Sequence, residues 1–146
     1  SALGACAALH NLILGGCEGL ADLSALAGCT ALHTLHLADL TSLAGVSALA
    51  GCKALHTLDV SDCPALADVS ALAECKALHT LVLSDCTSLA DVAALAGCAA
   101  LRTLEVSGCP RCPRLPSTRR MNVFYDFVRI PGKEEEAEEE IEEGAQ

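Results

Sequence analysis

Ten cysteines, five histidines and nineteen acidic residues are the groups in this 146-residue chain that could do chemistry. Cysteine at that density raises two chemistries, a disulfide framework or a metal site. The spacing argues for neither. Cys6, Cys29, Cys52, Cys75 and Cys98 stand 23 residues apart, and Cys17, Cys63, Cys86 and Cys109 fall on a second series of the same period, with Leu40 in the missing place. A leucine can replace a packed thiol, but not a metal ligand or half a disulfide. The thiols therefore read as small buried hydrophobes, and free thiols in this number fit a reducing, cytoplasmic compartment. Cys109-Pro110-Arg111-Cys112 is a CxxC. Both of its cysteines fall on apolar places of the repeat, and no second ligand pair accompanies it for zinc.

The histidines repeat as well. His10, His33, His56 and His79 form one column, which Arg102 continues. A straight ladder does not surround an ion, so the column reads as duplicated surface residues with some pH sensitivity. No Gly-rich phosphate loop and no GxSxG elbow occurs, and the aspartates recur at surface or capping places. A noncatalytic chain without cofactor or metal is expected.

The element that must carry these groups is a 23-residue unit. Leu9, Leu32, Leu55, Leu78 and Leu101 open successive copies. Numbered from that leucine, apolar residues recur at positions 1, 4, 6, 9, 12, 15, 18 and 21; in the third copy these are Leu55, Leu58, Val60, Cys63, Leu66, Val69, Leu72 and Cys75. Positions 4 and 6 point the same way from an extended strand. The later spacing of three suits short 3₁₀ turns. Ser24, Ser47 and Ser70 compete with Asp22, Asp68 and Asp91 to cap those turns. A unit this short cannot bury its own apolar face, so the copies must stack, laying their strands side by side in a parallel sheet.

The pattern LxxLxLxxC resembles the cysteine-containing leucine-rich repeats, and the following DVSxL half resembles internalin-type repeats. The resemblance covers residues 1–115. It implies an α/β solenoid of about five repeats, with a parallel sheet on the concave face and short 3₁₀ or irregular segments on the convex side. The stretch Ser1–Cys6 matches Ser24–Cys29, so the text opens inside a repeat. An N-terminally truncated solenoid is expected, whose first coil needs a preceding segment or a partner.

Family resemblance also implies protein binding through the concave face, where positions 3, 5, 7 and 8 should lie. Position 3 is a polar ladder of Thr34, Thr57, Thr80 and Thr103. Position 5 changes in every copy: Ile13, His36, Asp59, Val82, Glu105. Position 8 carries Asp39, Asp62 and Asp85. These residues are the candidate partner-binding set, and their acids suit a basic protein surface. Two other roles stay open, a structural subunit of a larger assembly and the substrate-recognition part of a ubiquitin-ligase adaptor, although the F-box-type segment an adaptor needs is not in this chain.

Charge divides the chain further. Residues 1–109 carry ten acids against three bases, residues 110–130 carry five arginines against Asp126, and residues 131–146 carry eight glutamates against Lys133. An acidic body repels phosphates, which argues against nucleic acid, and no apolar run approaches a membrane span. After Leu115 the register fails. Residues 116–132, with all three aromatic residues, are expected to cap the solenoid or dock elsewhere, and 133–146 to form a disordered acidic tail.

Overall fold

A computed structural model describes residues 7–112 and, as backbone, residues 122–125. Six strands form one parallel sheet in chain order: β1 (Asn11–Gly15), β2 (Thr34–Ala38), β3 (Thr57–Ser61), β4 (Thr80–Ser84), β5 (Thr103–Ser107) and β6 (Asn122–Tyr125). Each strand from β1 to β5 spans positions 3 to 7 of its unit, and equal positions pair, as in Thr57 with Thr80 and Asp59 with Val82. The 23-residue period is therefore the length of one coil, and the parallel solenoid expected from it is the architecture found.

The core follows from the spacing of the apolar residues. Leu35, Leu58, Leu81 and Leu104 at position 4 are all 0% exposed, and Leu37, Val60 and Leu83 at position 6 are buried beside them. Between the strands run 3₁₀ segments Ser24–Leu26, Ser47–Gly51, Ser70–Glu74 and Ala93–Gly97, each burying one leucine: Leu26, Leu49, Leu72 and Leu95. A fully buried leucine contributes about 2 kcal/mol, and position 4 places such a residue in each coil from the second to the fifth. Among the described residues no polar or charged side chain is buried, and no helix is long and apolar enough to cross a membrane. In the first coil Leu9, Leu12, Leu14 and Leu20 are only partly buried, although their columns are closed further along.

The competition between Ser and Asp at the 3₁₀ starts is decided for Asp. Asp22, Asp68 and Asp91 each accept the amide two residues on, from Ser24 at 2.8 Å, Ser70 at 2.9 Å and Ala93 at 3.0 Å. This is the Asx turn that a short carboxylate favours. The residue at the start of each segment is Leu23, Val46, Val69 or Val92, and none of these makes a side-chain cap.

The last pairing departs from the period. β6 sets Asn122 against Thr103, nineteen residues on, where earlier coils take 23. Of the segment 116–132, only the backbone of β6 is described, and the acidic tail at 133–146 lies outside the described residues.

Candidate functional site

Alternation along each strand turns positions 4 and 6 into the core and positions 3, 5 and 7 outward, giving half-buried and buried residues in turn from β2 to β5. Every expected site residue on these strands lies on that outer face. Thr34, Thr57, Thr80 and Thr103 line up in register along it, as do His36, Asp59, Val82 and Glu105. At the β1 end of the second row Ile13 is 77% exposed, the one large hydrophobic residue so placed among those described. His36 Nδ1 and Asp59 Oδ2 meet across the sheet at 3.3 Å. Their side chains are 42% and 35% exposed, so the pair contributes under about 1 kcal/mol.

The threonine hydroxyls are not free. His33, His56 and His79 turn Nδ1 onto Thr34, Thr57 and Thr80 at 3.1, 3.0 and 3.1 Å. The three imidazoles stack face to face, with centroids 4.7 and 4.8 Å apart and planes within 8°. The stack copies the strand separation. Burial, and then the two flanking rings, hold the His56 pKa below its ordinary value.

Position 8 is not part of the outer strand face. The strands end at position 7, and Asp39, Asp62 and Asp85 have φ of 56°, 52° and 54°. They are corner residues in the left-handed region, where glycine is at ease and aspartate is tolerated better than most residues. Gly16 and Gly108 fill the same corner in the first and fifth coils, at 68° and 63°. The signal was in the sequence, because a column holding only Asp and Gly marks such a corner. Reading it as charge alone missed the backbone. The three carboxylates are still exposed at the sheet rim.

The thiols do more than fill space. At position 21, Cys52, Cys75 and Cys98 donate to the carbonyls of Leu26, Leu49 and Leu72 in the preceding coil, at 3.4, 3.2 and 3.1 Å. At position 9, Cys63, Cys86 and Cys109 donate to the carbonyl two residues back, at 3.4, 3.5 and 3.5 Å. Each supplies a weak donor where leucine has none. Burial pushes the Cys75 thiol up to about 11, well out of the reactive range. No group of three or more metal-ligating side chains forms among the described residues.

No family model matches the chain, and no curated protein matches it. Among solved structures it is similar to internalin C2 from Listeria monocytogenes, with a TM-score of 0.71 at 23% identity, over 86% of this chain and 54% of that one. The fold is a leucine-rich-repeat solenoid. A second internalin from the same organism gives a TM-score of 0.35 at 21% identity, over 59% of this chain and 38% of that one. The solenoid thus spans about half the length of the internalin C2 chain.

Proposed function

We propose that this solenoid is a noncatalytic protein-binding module that holds a partner with a basic surface against the outer face of its sheet. The observation that carries this reading is the contrast between columns. Core positions keep to leucine, valine or cysteine from coil to coil because packing permits little else. The position-5 row on the exposed face runs His36, Asp59, Val82, Glu105. A row free of packing constraint, on a rigid sheet, is where recognition is built. Asp59 and Glu105 flank Val82 across two strand spacings, which suits a partner presenting two cations around an apolar residue. Asp39, Asp62 and Asp85 add negative potential at the rim, attracting such a surface over roughly 10 Å at moderate salt.

The reading also places the module in a cytoplasmic, reducing compartment, because its buried columns use thiols as thiols. Residues 116–132 are proposed to close its C-terminal end, and 133–146 to stay outside the fold as a solvated acidic tail.

The test uses a lysine- and arginine-containing peptide with a central leucine, its affinity measured by fluorescence anisotropy at two salt concentrations. Asp59→Lys with Glu105→Lys is expected to weaken binding at least tenfold and to flatten its salt dependence. The rim is tested separately by Asp62→Asn and Asp85→Asn, since asparagine keeps the left-handed corner. Unchanged affinity in the double reversal, in a variant whose circular dichroism is intact, removes this face as the binding surface.

A further inference from the structure

Register explains why residue 112 is apolar but not why it is cysteine, because the equivalent places hold Leu20, Leu43, Leu66 and Leu89. Cys109-Pro110-Arg111-Cys112 folds as one turn, with the Cys112 amide donating to the Cys109 carbonyl at 3.1 Å. Such a turn brings its end Cα atoms within about 7 Å, and a disulfide spans roughly 4.4–6.8 Å. Both thiols reach into the same interior. Cys112 Sγ donates to the Leu89 carbonyl at 3.3 Å, and Cys109 Sγ lies 3.7 Å from the Leu83 carbonyl.

We propose that Cys109 and Cys112 are a dithiol–disulfide site that exchanges with a small soluble disulfide of the glutathione class. Among the described thiols behind the first coil, Cys112 is the most open, and Cys109 lies beside it near the end of the columns. Cys109 is 8% exposed and Cys112 half-buried, whereas Cys52, Cys63, Cys75 and Cys86 are at 0%. The two thiols are also unequal. Hydrogen bonding, chiefly from Cys86 and less from Cys112, holds Cys109 below the ordinary thiol range, while burial and then Cys109 push Cys112 up to about 11. That inequality assigns the roles, because the thiolate is the attacking form. Cys109 thiolate attacks one sulfur of the small disulfide, forming a mixed disulfide and releasing one thiolate. Cys112 then loses its proton and attacks the Cys109 sulfur, releasing the second thiolate. The protein dithiol is oxidised by two electrons, the small disulfide is reduced to two thiols, and the two protons from the protein end on those products. The exposed Cys17 has no such neighbour in its turn and serves as an internal contrast.

The experiment equilibrates the full chain with reduced and oxidised glutathione at neutral pH, quenches it with acid, alkylates the remaining thiols and maps peptides. Trypsin cuts after Arg111, so a bridged pair appears as two peptides joined through sulfur. Cys109 and Cys112 are expected to lose alkylation together as that joined pair, while Cys17 takes up glutathione singly. Cys112→Ser is expected to stop at glutathione bound to Cys109. A Cys86–Cys109 bridge, single glutathione adducts on Cys109 or Cys112 of the unaltered chain, or no oxidation in excess oxidised glutathione overturns the proposal. The mapping of the unaltered chain decides it even where Cys112→Ser does not fold.

Discussion

Asp62 has two reasons to be where it is, and they separate by substitution. Its carboxylate faces solvent at the rim, and its backbone sits at φ 52°. Asp62→Asn removes the charge and keeps a side chain that tolerates the left-handed region, so its thermal midpoint is expected to stay close to that of the unaltered protein. Asp62→Val also removes the charge, but forces a β-branched residue into that conformation, at a cost of about 1–2 kcal/mol or more. Calorimetry on the two variants checks this, and equal midpoints would show that the corner imposes no backbone demand. Gly108 is the more extreme case. A Cβ there would stand on the Asp85 carboxylate, in addition to the strain of φ 63°. The corner was legible at this scale only to someone comparing Gly16 and Gly108 with the aspartates between them. The thiol-to-carbonyl bonds were not legible at all. Whether Cys75 reaches Leu49 depends on how tightly one 3₁₀ segment lies on the last, and residue type does not encode that distance.

Among the described elements, the histidine ladder carries a pH dependence near neutrality. The rings of His33 and His79 are stacked on His56 closely enough to oppose its charging. Lys53, Lys76 and Arg102 are the cations on the same turns, and Glu74 pairs with Lys53 at 3.7 Å. The folded pKa of His56 lies below the ordinary histidine value of 6.5, so just below pH 6.5 the unfolded chain binds more protons than the folded one. Stability is therefore full above that value and falls as the pH drops through it. The thermal midpoint is expected to be lower at pH 5.5 than at pH 7.5, and His56→Asn, which keeps a polar partner for Thr57, is expected to narrow the difference. Asp68 acts in another window. Hydrogen bonds from the Ser70 side chain and amide hold its pKa below 3.8, so its contribution persists through that range and is lost only in stronger acid. The ladder as a column could be read from a 23-residue period, because each coil delivers its second residue, just ahead of the strand, to one line. Its ring-to-ring contact could not, since that needs the strand separation and a shared rotamer held by the threonine hydroxyls.

For the whole molecule the controlling number is the coil length. Each strand from β1 to β5 takes the next strand in sequence as its neighbour at the same register, so one coil is removable as a unit. Deleting residues 55–77 joins Ala54 to Leu78 and restores every column. The product is expected to keep its circular dichroism and to melt lower by the loss of one intercoil interface. Deleting about half a coil puts leucines of one column against the outer face of another and is expected to abolish cooperative melting. This period made the sheet and core readable beforehand, since burial holds Leu35, Leu58, Leu81 and Leu104 to one type. It failed at the nineteen-residue closing step to β6, where no leucine marks the register. The strand order β1 to β6 has one more consequence. Because no strand waits for a distant stretch of chain, the fold can lengthen in one direction as synthesis proceeds, each newly emerged coil finding its complete docking template already in place.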